Sequence, residues 1–309
     1  MIQQRNWASD QLNSFCFAYH CATMKKEVLD MIKTVTMANG LAIPVLGFGT
    51  FKAADGEEAY QSTLAAIKAG YRHIDTAAIY HNEKSVGQAI RDSGVPREEL
   101  FITTKLWNDA HSYDGAKVAL AASLERLGLE YVDLYLIHWP NPKALRDCWQ
   151  AANAAAWSYM EEAVEAGLVR SIGVSNFMVH HLEALKQTAT ITPAVNQIRL
   201  APGCYQKETV DYCRRHHILL EAWSPLGQGE IFTDDTMQAL AKKYNKTVAQ
   251  LALAWSISEG FIPLPKSVHK ERIVENMAIF DCEISPEDSE RIRCLPGMSA
   301  IPDPDTKDF

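Results

Sequence analysis

The chain of 309 residues contains no CxxC pair: its seven cysteines, Cys16, Cys21, Cys148, Cys204, Cys213, Cys282 and Cys294, are scattered and odd in number. That excludes a thiolate-rich zinc site or a disulfide framework and favours a reducing cytoplasm. No run of about 18 apolar residues is present to span a bilayer, and the apolar stretch from Ser14 to Thr23 is broken by Tyr19 and His20. Basic charge is also scarce. Thirty Lys and Arg against 38 Asp and Glu leave a formal charge of −8, so broad attraction to nucleic acid or an anionic membrane is not expected. Any anionic ligand must meet a local cluster of cations. No Pro-, Gly- or Ser-rich linker, internal repeat or low-complexity tract divides the chain. Finally, Gly47, Phe48, Gly49 and Thr50 lack the third glycine of a GxGxxG turn, so a dinucleotide would be held by other means.

What is present is alternation. Residues 1–30 show no sustained period and read as a flexible N-terminal extension; residues 31–309 read as a single domain. That domain opens with MIKTVTMANGLAIPVLGFGT, alternating apolar residues around an Asn39-Gly40 turn, which predicts a β-hairpin. Eight short apolar runs follow, at Val45–Gly49, Tyr71–Thr76, Phe101–Lys105, Val132–His138, Val169–Val174, Ala194–Ile198, Ile218–Trp223 and Phe261–Pro265. Between them apolar residues recur three or four apart, as in Val118, Ala121, Leu124 and Leu127. Strand runs that are apolar on both faces, alternating with helices, predict an α/β fold, a (β/α)8 TIM barrel behind the N-terminal hairpin.

Active sites of such barrels form at the C-terminal ends of the strands. Asp75 ends the second run, Tyr80 lies in the loop after it, Lys105 ends the third run and His138 the fourth. Each alone has a bland reading, as a cap, a packing ring, a snorkelling amine or a satisfied core histidine. Together they describe chemistry. Asp75 can pair with Lys105 and fix a buried cation, which would lower the pKa of Tyr80 and make it a proton donor to a developing alkoxide. His138 can hydrogen-bond the same carbonyl oxygen. Polarising and protonating a carbonyl leaves a hydride to be delivered.

The second half offers places for a hydride carrier. Ser175, Asn176 and Gln197 can grip a carboxamide, Trp223 is a platform for a ring, and Ser224, Leu226 and Gly227 let backbone approach phosphates. Lys266 and Ser267 precede a helix start, and Arg272 lies one to two turns further on. Two cations near one phosphate favour NADPH over NADH.

Through GYRHIDTAAIYHNE, FITTKLWND, VDLYLIHWP, VRSIGVSNF, PAVNQI, EAWSPLGQG and PKSVHKERIVEN, in that order, the chain from Lys33 to Leu295 resembles the aldo-keto reductases, among them bacterial 2,5-diketo-D-gluconate reductases. The resemblance implies a (β/α)8 barrel that binds NADPH in extended form, with Asp75, Tyr80, Lys105 and His138 as a catalytic tetrad; oligomeric state is not readable from the sequence, and a monomer is the default expectation. It implies NADPH contacts from Gly49, Thr50, Ser175, Asn176, Gln197, Trp223, Ser224, Leu226 and Gly227. Lys266, Ser267, Val268 and Arg272 would surround the 2′-phosphate, with Glu275 and Asn276 at adenine. Phe48, Trp107, His111 and Trp139 would enclose a small carbonyl compound such as a keto-sugar acid or methylglyoxal. One departure is IRLAPGCYQ, where Arg199 and Ala201 stand in place of the acidic residue and His-Pro pair usual after strand six. Two other functions stay open: a cofactor-binding regulatory module without significant turnover, and a lyase using Lys105 as a Schiff base.

Overall fold

Strand parity organises the molecule. The computed structural model describes residues 33–296 and 301–308, and the expected extension at residues 1–30 lies outside them. Strands β1 (Thr34–Thr36) and β2 (Ala42–Pro44) form the antiparallel hairpin. The barrel strands are β3 (Phe48–Gly49), β4 (His73–Asp75), β5 (Phe101–Leu106), β6 (Val132–Ile137), β7 (Val169–Ser175), β8 (Val195–Arg199), β9 (Leu219–Trp223) and β10 (Phe261–Leu264). They pair in parallel, in chain order. Gly47 N–H donates to the Pro263 carbonyl at 3.1 Å and Gly49 N–H to the Pro265 carbonyl at 3.0 Å, which closes the cylinder. All eight expected strands are found, though the first is cut to two residues.

Helices cover the outside: α1 (Glu57–Ala69), α2 (Glu83–Asp92), α3 (Tyr113–Leu127), α4 (Trp149–Glu165), α5 (Val179–Lys186), α6 (Lys207–Arg215), α7 (Asp235–Lys243), α8 (Val248–Ser258), α9 (Lys270–Glu275) and α10 (Pro286–Arg293). Ile74, Ile102, Tyr135, Ile172, Ile198 and Leu220 belong to one large apolar cluster with helix residues such as Ile90, Leu120 and Trp157. The opposite parity fills the barrel interior. There Leu134, Leu136, Val195 and Ile262 form a second cluster with Met37 and Ile43 of the hairpin, which closes the N-terminal end. Asn39 fastens that plug through its amide, 2.7 Å from the Ser171 hydroxyl. With apolar residues low in the barrel and a hairpin beneath them, polar residues of inward parity gather at the other end.

Two glycines are required by close approach. A Cβ on Gly47 would lie 2.4 Å from Leu264 Cδ2 and 2.7 Å from His73 Nδ1, so a side chain there would push β3 away from β10. On α2, a Cβ on Gly87 would lie 2.0 Å from the Leu127 carbonyl oxygen at the end of α3. Gly87→Ala is therefore expected to lower unfolding stability by about 2 kcal/mol or more, because backbone cannot rotate aside as a side chain can. Urea denaturation checks this; a loss below about 0.5 kcal/mol would show that the two helices are free to separate.

Candidate active site

Asp75 and Lys105 sit on adjacent strands with inward parity, and the consequence is a buried ion pair. Lys105 is fully inaccessible to solvent. Its Nζ lies 2.7 Å from each Asp75 carboxylate oxygen, 2.9 Å from the Thr76 carbonyl and 3.5 Å from the Tyr80 hydroxyl. Burial alone would lower the lysine's pKa, but Asp75, with Tyr80 and Glu221 adding to it, holds the ammonium above its ordinary range. The amine is thus charged and hydrogen-bonded, which speaks against its use as a Schiff-base nucleophile. Asp75 is seated in turn, its backbone carbonyl accepting from the Thr50 N–H and hydroxyl, each at 3.0 Å.

Tyr80 ends a 3₁₀ turn, Ala78–Tyr80, in the loop after β4. That loop is clamped by the buried Asn82, whose amide donates to the Thr50 and Ala53 carbonyls and whose side-chain oxygen accepts from Thr76, all at 3.0 Å. The expected lowering of the Tyr80 pKa is corrected by the structure. Burial raises it, the Lys105 charge offsets only part of that, and the net direction is upward. The phenol therefore stays protonated at neutral pH. His138 is the reverse case: burial, Lys105 and His111 all lower its pKa well below the ordinary range, so the ring is neutral. Its centroid lies 5.8 Å from that of Tyr80 and 5.1 Å from that of Trp107, and its Nδ1 is buried without a hydrogen-bond partner among the described residues.

Past strands β7 to β9 the expected cofactor residues are tied to one another. Ser175 Oγ donates to the Gln197 backbone carbonyl at 2.7 Å. Asn176, held at φ 62°, donates from its amide to the His138 carbonyl at 2.9 Å and accepts from the Trp223 indole N–H at 2.9 Å. Gln197 Nε2 donates to Asp75 Oδ2 at 2.8 Å and to Glu221 Oε2 at 2.7 Å, which leaves its amide oxygen to meet a ligand. Trp223 is partly exposed and flanked by the Arg199 guanidinium 5.8 Å from its ring. Ser224 and Gly227 adopt positive φ of 50° and 57°, turning the backbone after β9.

After β10, Lys266 is half-buried and Arg272 exposed, and neither forms an ion pair among the described residues. Ser267 is buried and bonds the His269 N–H at 3.1 Å. Val268 is half-buried beside it. Glu275 accepts from the Thr247 hydroxyl at 2.6 Å and Asn276 is buried. Two unneutralised cations beside a helix start suit a phosphate.

Two placements differ from expectation. Gly49 and Thr50 use their backbone N–H groups inside the barrel, on Pro265 and Asp75, so a ligand there would not meet those N–H groups as donors. Phe48 has outward parity and packs in the core against Tyr71, centroids 5.7 Å apart. The aromatic beside Tyr80 is instead Phe51, 5.0 Å away and 51% exposed. Trp107 and Trp139 are partly exposed near His138, and His111 is buried with its pKa lowered to about 4 by burial. Glu221 was not singled out by the sequence, although it shares parity with Trp223 two residues on and is fully buried.

Elsewhere, His180, His181 and Asp305 form the one group of metal-ligand type among the described residues. His181 Nδ1 accepts from the Met178 N–H at 3.1 Å, so its Nε2 carries the proton and donates to Asp305 at 2.9 Å. That leaves His181 no lone pair for an ion. The cluster fastens the C-terminal segment to α5.

Residues 45–295 match the model of the aldo/keto reductase family. The chain belongs to this family. It is similar to the glyoxal reductase of Bacillus subtilis, 48% identical over 88% of this chain and 96% of the relative. It is likewise similar to the methylglyoxal reductase DkgA of Yersinia pestis, 42% identical over 90% and 98%. A Bombyx mori aldo-keto reductase solved in complex with NADP has a TM-score of 0.77 at 39% identity, covering 85% of this chain and 92% of its own. This aldo-keto reductase is accordingly an NADP-dependent oxidoreductase that acts on carbonyl groups. The cations after β10, the accessible Trp223 ring and the amide oxygen of Gln197, for which no bond is found among the described residues, fit that cofactor.

The ion pair sets the stability of the site. Asp75→Asn in the aldo-keto reductase leaves an ammonium buried without its counter-charge and should cost about 3–5 kcal/mol in urea unfolding. Lys105→Met should cost about as much, and the double variant less than the sum; strict additivity would mean the pair is not coupled.

Proposed function

We propose that this enzyme reduces small aldehydes and α-dicarbonyl compounds of the glyoxal and methylglyoxal type, with Tyr80 as the proton donor. The observation that carries the reading is the Lys105 ammonium fixed by Asp75 and set 3.5 Å from the Tyr80 hydroxyl at the barrel mouth. NADPH, when bound, supplies the hydride. Tyr80, protonated at rest, hydrogen-bonds the substrate oxygen and gives up its proton as negative charge develops there. The adjoining ammonium stabilises the phenolate left behind, so its effect is greatest in the transition state, which is where it raises kcat. Neutral His138 donates a second hydrogen bond to the same oxygen and orients it. Asp75 keeps Lys105 charged and in place.

For the cofactor, Ser175, Asn176 and the Gln197 amide oxygen would hold the carboxamide and Trp223 would stack on its ring. Ser224, Leu226 and Gly227 would follow the pyrophosphate. Lys266, Ser267, Val268 and Arg272 would hold the 2′-phosphate, and Glu275 and Asn276 would adjoin adenine. Phe51, Trp107, His111 and Trp139 would wall the substrate pocket, with His111 offering a neutral polar edge among aromatic faces. Apolar walls with few polar groups suit a small carbonyl compound. The relatives named for glyoxal and methylglyoxal support this substrate class over keto-sugar acids. The described cysteines are free thiols, in keeping with a reducing compartment such as the cytoplasm.

The purified protein with NADPH should consume the reduced-cofactor absorbance faster with glyoxal and methylglyoxal than with 2,5-diketo-D-gluconate. Tyr80→Phe should lower kcat about 10²–10⁴-fold; retention of nearly the full rate would remove Tyr80 as the acid. No turnover on any carbonyl despite tight NADPH binding would favour the regulatory module instead. Arg272→Ala should raise KM for NADPH about tenfold, roughly one charge-assisted contact, and leave KM for NADH unchanged. An equal rise for both cofactors would place Arg272 away from the 2′-phosphate.

A further inference from the structure

The barrel mouth holds a second buried carboxyl that the mechanism above does not use. Glu221, on β9, is fully inaccessible to solvent. Its Oε2 accepts from Gln197 Nε2 at 2.7 Å, and the same nitrogen reaches Asp75 Oδ2 at 2.8 Å, so one amide bridges two carboxyls. Among the described residues its Oε1 forms no hydrogen bond, and the basic group it faces is His73 Nε2 on β4, 3.5 Å away. That imidazole does not serve as a counter-cation: burial and the Lys105 charge lower its pKa to about 3, and the same nitrogen lies 3.2 Å from the Thr103 hydroxyl on β5. On the other flank β10 offers Ile262, the register partner of Glu221. The remaining charged groups that act on Glu221 are Asp75 on β4 and Lys105 on β5. Two carboxyls therefore share one ammonium, and the ammonium is bonded to Asp75. A buried site does not tolerate the unmatched negative charge, so one carboxyl keeps its proton.

We propose that Glu221 is a titrating positioning residue of the reductase site: neutral in the active form, it acts through Gln197 and Asp75, and its ionisation weakens Tyr80 as a proton donor. With Glu221 neutral, Asp75 and Lys105 balance and the ammonium's remaining field falls on the Tyr80 hydroxyl. Loss of the Glu221 proton makes the set net negative, and the charge of Lys105 is then divided between two carboxylates. Less of it stabilises a phenolate, so proton transfer to the substrate slows. Burial, with the Asp75 charge second, raises the Glu221 pKa to about 8, which puts the change just above neutrality. The proposal rests on the reading of Tyr80 as acid.

The test pairs the wild type with Glu221→Gln, which keeps the shape of the side chain and cannot ionise. In the unfolded chain a glutamate ionises at about 4.3, so the folded state holds this proton over a window from about pH 4.5 to about pH 8. The wild type thereby loses stability across that window as pH rises, and the variant does not. The Tm of the variant relative to wild type should widen by about 5 °C or more between about pH 5 and about pH 8.5 in the cofactor-free protein. In parallel, kcat for methylglyoxal reduction should fall about threefold or more between about pH 7 and about pH 9.5 in wild type, and by less than half that factor in the variant. A Tm difference that stays constant with pH overturns the proposal, because Glu221 then does not titrate. So does a widening Tm difference with superimposable kcat profiles, because the titration then does not reach Tyr80. If Glu221→Gln does not fold, infrared difference spectra of the wild type between about pH 6.5 and about pH 9.5 decide the titration: loss of a protonated-carboxyl band supports it and an unchanged band refutes it. Tyr80→Phe in the same assay separates the two readings, since its retained activity would sink the acid assignment while leaving the Tm comparison intact.

Discussion

A single buried ammonium governs the open end of this barrel. Lys105 has no water to solvate it, so its position is fixed by what can replace water: both oxygens of Asp75 and the Thr76 carbonyl. Such a pair contributes little net stability by itself, since desolvation of both charges offsets their attraction, but neither partner tolerates loss of the other. The surroundings are arranged accordingly. Thr50 bonds the Asp75 backbone, Asn82 clamps the two loops above it, and Gln197 takes the outer face of the carboxylate. What these contacts deliver is a cation whose field is aimed at one phenol.

That field explains the protonation states around it. It pushes down the pKa of His73 and of His138, adding to burial, so both rings are neutral. On Tyr80 it works against burial and loses, so the phenol is protonated at rest. Both outcomes suit carbonyl reduction, which needs two uncharged hydrogen-bond donors facing an oxygen that becomes negative. A pre-formed phenolate would repel that charge. The upward shift of Tyr80 is thus consistent with its proposed role as the acid, in which Lys105 would stabilise the phenolate after proton transfer rather than before it.

Much of this was readable in the sequence, because strand parity and strand ends carry the information. Eight apolar runs with helical stretches between them predict the barrel, and Asp75, Lys105 and His138 stand out as polar residues at the ends of such runs. The net direction of the Tyr80 shift was not readable, since it depends on how deeply the loop after β4 lies, and no local pattern encodes depth. Phe48 was misplaced for a simpler reason. In GFGTF the parity of the short strand is set by Gly47 and Gly49, which face the crowded seam with Leu264, so Phe48 must point outward and Phe51 takes the place beside Tyr80. The glycines that seem to begin a phosphate-binding turn serve barrel closure.

Glu221 shows how a site residue can escape sequence reading and still be derivable from it. In EAWSPLGQG the indole draws notice, yet two residues earlier the same inward parity places a carboxyl one step deeper, level with Gln197 on the neighbouring strand. Buried acids are expensive, and a fold that needed only packing there would have a neutral residue. The carboxyl is instead bonded to the amide that already contacts Asp75, so removing its charge and removing its shape are different perturbations with different consequences. Shape fixes the Gln197 amide with its nitrogen inward and its oxygen outward. Charge decides how much of the Lys105 field remains for Tyr80. A neutral isostere preserves the first and eliminates the second, which is why the pH dependence, rather than the rate at one pH, carries the physical content of this residue.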